Sequence, residues 1–191
     1  LHDNTHSFPT RRSSDLVDGL FQLSPWLLML LCPALTMRLF AEERNSGMWD
    51  LLRSKRVPVW RLVSGKFFAA WLLMLIALLP CVVHYFAVAY MAEPMGNLDA
   101  GAFAGAFIGL ILLSAAFLGI GLLAATLSRS QIVCFILGAL GCFVLYWVLL
   151  QDHYRSLARG VIDLRDVLLM LSTAVIGVLL SLGKLQSTTD H

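Results

Sequence analysis

Charged side chains are scarce in this chain. Asp, Glu, Lys and Arg make up 14% of the 191 residues, while hydrophobic residues make up 59%. Ordinary soluble domains carry roughly 25% charged residues. The net charge of +2 is small and no basic stripe with interleaved aromatic residues occurs, which argues against a nucleic-acid partner. The chain therefore lacks the polar surface that a soluble protein needs.

Five stretches lack Asp, Glu, Lys and Arg altogether. A helix needs about 20 apolar residues, and at least about 17, to cross a bilayer core of roughly 30 Å. Five such helices in a soluble protein would leave almost no polar face for water. We therefore predict an all-α integral membrane protein, a polytopic helix bundle with five spans in the lipid bilayer. The predicted spans cover residues 19–37, 67–92, 100–128, 130–151 and 167–183.

Metal-binding, disulfide and catalytic patterns are also missing. Neither GxSxG nor HExxH occurs. Gly65 and Lys66 resemble the end of a phosphate-binding loop, but Trp60 and Phe67 stand where that motif needs Gly and Ser or Thr. Four cysteines lie inside the apolar stretches without CxxC spacing, as small buried hydrophobic residues do: Cys32, Cys81, Cys134 and Cys142. We predict no cofactor, no metal site, no nucleotide site and no enzymatic activity in the chain itself.

His84 is the one strongly titratable side chain in the middle of an apolar stretch. Ionisable groups inside a membrane indicate function by default. However, no predicted span holds a carboxylate with which His84 could form a proton relay. The sequence therefore favours a neutral, hydrogen-bonded structural histidine over a functional one.

Residues 1–16 differ in character from the remainder. Back-translated, HSFPTRRSSDL, residues 6–16, resembles a short-read sequencing-library adapter read in one frame. A signal peptide would need an apolar core, which this stretch lacks. We interpret residues 1–16 as an adapter-derived artefact and 17–184 as the membrane-spanning domain. We accordingly expect the natural chain to continue before Val17, with at least one more helix.

The connections between the predicted spans differ in basic residues. The connection 91–99 holds none, whereas the first connection holds seven: Arg38, Arg44, Arg53, Lys55, Arg56, Arg61 and Lys66. Basic residues near span ends favour the cytoplasmic side. We therefore predict that the loop 38–66 and the tail 185–191 are cytoplasmic and that the connection 91–99 is external.

A row of glycines follows the connection 91–99. Gly101, Gly105 and Gly109 are spaced as GxxxGxxxG on one face of the third span. Such a face lets a neighbouring backbone approach closely. We predict a helix-packing face, whose partner is either another span of this chain or a second subunit.

The loop 38–66 contains an amphipathic segment. Glu42, Glu43 and Arg44 form a polar turn and Gly47 breaks the pattern. An apolar stripe at helical spacing follows: Met48, Trp49, Leu51 and Leu52. Such a helix could lie on the membrane surface or present its apolar face to a groove in another protein. The spacing alone does not decide between them.

Residues 33–47, PALTMRLFAEERNSG, match a P-x-L-T-M-R-x-x-A-E-E-x-x-x-G pattern. The chain thereby resembles the type-2 ABC exporter permeases, particularly the subgroup associated with bacterial gliding motility. LVSGK (62–66), LSRSQ (127–131) and RGVIDLRD (159–166) resemble further segments of that family. The chain departs from the family where Arg53 interrupts a run of leucines and the following proline is delayed to Pro58.

The resemblance implies a permease with about six spans in the intact member, in a bacterial inner (plasma) membrane. Its partners would be a separate cytoplasmic ABC ATPase, in which ATP is hydrolysed, and a second permease copy or relative. The loop 38–66 would couple nucleotide-driven closure of the ATPase to a tilt of the spans. The implied coupling residues are Arg38, Glu42, Glu43, Arg44, Gly47, Met48, Trp49 and Leu52.

Two other functions remain open on the sequence. A non-transporting membrane scaffold or assembly subunit would explain the spans, their orientation and the glycine row equally well, and only the loop pattern argues against it. A membrane-embedded enzyme is disfavoured because no predicted span combines paired carboxylates, metal ligands or a nucleophile with a base.

Overall fold

The computed structural model describes residues 8–45, 58–91, 100–128, 130–160 and 163–189. All regular structure in these ranges is helical. The elements are α1 (Phe8–Asn45), α2 (Val59–Met91), α3 (Ala100–Leu127), α4 (Gln131–Leu145), a π-helical segment (Tyr146–Leu150), α5 (Gln151–Ala158) and α6 (Leu164–Thr189). Helix α1 begins inside residues 1–16, whose interpretation as adapter-derived stays a prediction.

Five helices in these ranges are long and apolar enough to cross a membrane, which confirms the predicted all-α polytopic fold. They are Gly19–Arg38, Val59–Tyr90, Ala100–Leu127, Gln131–Ala158 and Leu164–Ser187. Several reach beyond the predicted bounds, because the prediction stopped at the first charged residue. Charged residues instead continue the helices at their ends, as Arg61 and Lys66 do in α2.

Helix α3 lies at the centre of the bundle. In its most apolar stretch 67% of the residues are buried, against 17% for α2. It contacts each of the other helices. Five of the eight residues from Ser114 to Gly121, in its buried middle, are glycine, alanine or serine. Small side chains allow several neighbours to approach one helix at once, so α3 serves as the axis on which the other spans pack.

Consecutive spans alternate in direction, so that the bundle has two distinct ends. At one end Phe21 of α1, Tyr85 of α2 and Phe103 of α3 form an aromatic group. At the other end Val63 of α2 packs with Leu122 of α3. We call the first the α5 end and the second the Arg38 end.

The fourth span is interrupted by the π-helical segment, which adds a residue to one helical turn. Tyr146 and Leu150 of this segment are buried. Past it, α5 buries Tyr154 and Leu157 and packs against α3 and α6. The segment therefore sets the rotation of α5 relative to α4, and with it the residues that α5 presents to its neighbours.

Candidate functional site

The first half of the PALTMR motif packs α1 into the bundle. Thr36 is buried, and its hydroxyl donates to the carbonyls of Cys32 and Pro33, at 3.1 Å each. A Cβ on Gly121 of α3 would stand 3.2 Å from the Thr36 methyl carbon. One on Gly138 of α4 would stand 3.0 Å from the Pro33 Cβ. Pro33 thus packs against Gly138 of α4, and Thr36 packs against Gly121 of α3. These contacts hold α1 against both helices.

The second half of the motif continues the same helix. Helix α1 runs without a break to Asn45, so Glu42, Glu43 and Arg44 lie on a helical extension of the span rather than on a separate turn. At 1.5 Å per residue this extension carries the chain roughly 10 Å past Arg38, whose side chain is exposed. The remaining implied coupling residues lie outside the described residues: Gly47, Met48, Trp49 and Leu52.

The predicted glycine row faces α5 of the same chain. A Cβ on Gly105 would clash with the Leu157 carbonyl oxygen, and one on Gly109 would stand 3.3 Å from the side chains of Leu157 and Tyr154. Gly101, the first glycine of the row, lies against the turn that follows α5. In that turn Gly160 has a φ of +80°. A Cβ on Gly160 would lie 3.2 Å from the Gly101 carbonyl carbon. Of the two partners that the sequence left open, the structure places a helix of the same chain on this face.

A second close helix crossing, between α3 and α6, was missed by the sequence analysis. A Cβ on Gly177 would lie 2.6 Å from the carbonyl carbon of Gly119. A Cβ on Gly119 would lie 2.8 Å from the carbonyl oxygen of Ala174. The sequence does contain a pattern that indicates this crossing: Thr173, Gly177 and Ser181 are small residues at four-residue spacing. All three are buried in the structure.

Two polar contacts join α5 to its neighbours, and we call them the α5 clasp. His153 Nδ1 lies 2.6 Å from Asp166 Oδ1 of α6. The hydroxyl of Tyr154 donates to the Phe21 carbonyl of α1 at 2.9 Å. Asp166 is only 5% exposed, and its Oδ2 is buried without a hydrogen-bond partner. Because these contacts tie α5 to α1 and α6, we assign the clasp a structural role. No group of three or more metal-binding side chains occurs in the described ranges.

We predict that His153→Ala destabilises the bundle by about 1 to 3 kcal/mol, because the buried Asp166 carboxylate would lose its hydrogen-bond partner. Thermal unfolding of the detergent-solubilised protein measures this. Asp163→Asn, at an exposed position beside α6, serves as the matched control and should keep the original Tm. An unchanged Tm for His153→Ala would show that the contact between His153 and Asp166 contributes nothing to stability.

His84 lies toward the α5 end of α2 and is half-buried. The hydrogen bond expected from the sequence is not made with any residue in the described part of the chain. One helical turn away, Pro80 and Ala87 are exposed, whereas Val88 is buried in the core and Cys81 packs against it. His84 therefore lies at the boundary between the outward face of α2 and the core.

The fold and these contacts define a multi-pass helical membrane protein whose central span packs closely with its neighbours. The chain belongs to a family described as ABC-2 family transporter protein, whose model matches residues 3–181. It is thus an ABC transporter permease, a membrane component, and membership of this family implies an ATP-binding partner subunit. No curated protein and no solved structure matches the chain.

Proposed function

We propose that this permease is the membrane subunit of an ATP-driven exporter in a bacterial inner membrane. Together with a second permease copy or relative it forms the translocation path, and it couples to a separate cytoplasmic ATPase. The observation that carries the proposal is the family match over residues 3–181. The PALTMRLFAEERNSG motif at the Arg38 end supports it.

The unbroken α1 helix suggests how coupling works. A push on the extension between Arg38 and Asn45 acts on the same continuous helix that enters the bundle. Because Pro33 and Thr36 fit against glycines of α4 and α3, α1 passes that push to both helices. Packed helices move as bodies between discrete arrangements, so closure of the ATPase would tilt α1 together with the centre of the bundle.

Beyond α1, the proposed contact with the ATPase is divided into two parts. Three residues of the apolar stripe that follows Gly47 dock in a groove of the ATPase: Met48, Trp49 and Leu52. The charged residues on the α1 extension form the rim of that contact: Arg38, Glu42, Glu43 and Arg44. A desolvated aromatic anchor inside a polar rim is the usual division of binding energy in protein interfaces.

Affinity purification of the permease from its native membrane tests the proposal. We expect a protein with a phosphate-binding loop to co-purify with it in a fixed ratio, and to hydrolyse ATP. The alternative, a non-transporting scaffold, needs the same bundle but no ATPase. Folded permease recovered repeatedly without an ATP-hydrolysing partner would therefore favour the scaffold.

The orientation of the chain is a separate prediction, based on the basic residues of the loop 38–66. Single cysteines at Asn45 and Asn97, in a background without the four native cysteines, are treated in intact cells with a membrane-impermeant thiol reagent. We expect labelling at Asn97 and protection at Asn45 until the cells are opened. Labelling of Asn45 with protection of Asn97 would reverse the orientation.

A further inference from the structure

The fourth span continues into a charged helix at the α5 end. From Ser130 to Gln151 the chain carries no Asp, Glu, Lys or Arg. At 1.5 Å per residue, α4 and the π-helical segment together extend roughly 30 Å, which is the thickness of the hydrocarbon core. Helix α5 therefore begins where the hydrocarbon ends, and it lies at the level of the lipid headgroups.

One line of outward side chains crosses this boundary, and we call it the arginine line. Its members are all exposed and follow one another at spacings of four, three and four residues, on one face of the helix: Val148, Asp152, Arg155 and Arg159. The opposite face of α5 is buried, with Tyr154 and Leu157 against α3. Along the arginine line the outward surface changes from apolar to charged within one helical turn.

The two arginines of this line have no carboxylate partner in the part of the chain that the structure describes. Neither guanidinium group forms an ion pair there, although Asp152 lies one turn before Arg155. Arg159 donates from Nε to the Arg155 carbonyl at 3.2 Å, and its two terminal nitrogens make no bond in these ranges. Basic residues are disfavoured beside the external ends of spans, so two exposed arginines at the α5 end indicate an anionic partner.

We propose that the arginine line is a binding site for an anionic phospholipid. The lipid phosphate lies between Arg155 and Arg159, which are neighbours at four-residue spacing, and guanidinium groups bind phosphate through paired hydrogen bonds. Long arginine side chains reach back to the membrane surface. The acyl chains lie on Val148 and Trp147, which are 79% and 53% exposed. Any lipid can cover this apolar part, but only a lipid with net negative charge complements the arginines.

The charges on the arginine line set the size of the expected preference. Two basic side chains and one acidic side chain give a net charge of +1. One basic charge near a membrane surface strengthens the binding of an anionic lipid about fivefold. We therefore expect phosphatidylglycerol to bind about fivefold more tightly than phosphatidylcholine. Asp152→Asn should raise this ratio to about 25, and the double substitution Arg155→Gln with Arg159→Gln should lower it to about 0.2.

Quenching of tryptophan fluorescence measures this ratio at the proposed site. The full chain keeps Trp147 as its one indole, and phenylalanine replaces the other four tryptophans: Trp26, Trp49, Trp60 and Trp71. The protein is reconstituted into vesicles that mix phosphatidylcholine with phosphatidylglycerol, with bromine on the acyl chains of one lipid or the other. Because bromine quenches an indole on contact, the two series give the relative binding constant of the two lipids beside Trp147.

A chain that keeps Trp60 as its one indole is the control. Trp60 is 55% exposed at the Arg38 end, so the double substitution of Arg155 and Arg159 should leave its quenching ratio unchanged. Equal quenching of Trp147 by both lipids, or one ratio for the original line and both charge variants, would overturn the proposal, because the arginines would then face only water.

Native mass spectrometry gives a second measurement that keeps all five tryptophans, in case the single-tryptophan chains do not fold. The permease is released from vesicles that contain both lipids, and the phospholipids that stay bound are counted. The double substitution of Arg155 and Arg159 should retain less phosphatidylglycerol than the original chain, and Asp152→Asn should retain more. Equal retention by all three proteins would overturn the proposal.

Discussion

Gly177→Leu should leave little folded permease, the largest stability effect we expect from a single substitution. A Cβ at this position would lie between 2.6 and 2.9 Å from three backbone atoms of Gly119. Backbone atoms cannot relieve a steric clash by changing rotamer as a flexible side chain can. Helix α6 would therefore have to move away from the central helix α3. Overpacking of this kind costs about 3 kcal/mol or more, and the α3–α6 crossing has no hydrophobic driving force to restore it in lipid.

Gly183→Leu is the matched control for this prediction. It lies on the same helix, and a Cβ there would meet no atom within 4 Å. After solubilisation and heating, size-exclusion chromatography should show Gly183→Leu as monodisperse as the original protein and Gly177→Leu aggregated at a much lower temperature. Equal Tm values for the two variants would contradict the close crossing of α3 and α6.

Trp49→Ala should weaken binding of the ATPase by about 2 kcal/mol, as truncation of a buried aromatic anchor commonly does. This corresponds to roughly a 30-fold rise in Kd. Glu42→Gln and Glu43→Gln should act in the same direction but by less than about 1 kcal/mol, because charge pairs at an exposed rim contribute little. Binding is measured by titrating the ATPase onto the permease in lipid nanodiscs.

Trp147→Ala provides the control for Trp49→Ala. Trp147 belongs to the π-helical segment near the α5 end and is 53% exposed, so its removal deletes an indole of the same size far from the proposed contact. It should leave the Kd unchanged. If the segment around Trp49 only rests on the lipid surface, Trp49→Ala would alter its membrane partition and leave the Kd of the ATPase unchanged as well.

The spans could be predicted from the sequence because crossing a bilayer requires a long apolar run, which is a local property. Their ends could not, since Arg61 and Lys66 are charged but continue α2 as a helix. The glycine row was recognised as a packing face for the same local reason. Its partner, α5, could be identified only from the fold, because the π-helical segment sets which residues of α5 meet Gly105 and Gly109.

The α5 clasp could not be predicted at all. His153 and Asp166 are 13 residues apart and lie on different helices, so their contact depends on the turn at Gly160 and on the packing of both helices against α3. Similarly, the close approach of Gly119 and Gly177 requires two helices to cross at one point. Spacing within one helix marks a face, but the pairing of faces is a tertiary property.

The most direct test is the ATP hydrolysis rate of the partner ATPase in four samples: alone, and with subsaturating amounts of the permease, its Trp49→Ala variant or its Trp147→Ala variant in nanodiscs. We expect the permease to change the rate, Trp49→Ala to return it nearly to that of the ATPase alone, and Trp147→Ala to act like the original permease. An ATPase whose rate is the same in all four samples would contradict the claim that this chain is the coupled membrane subunit of an ATP-driven transporter.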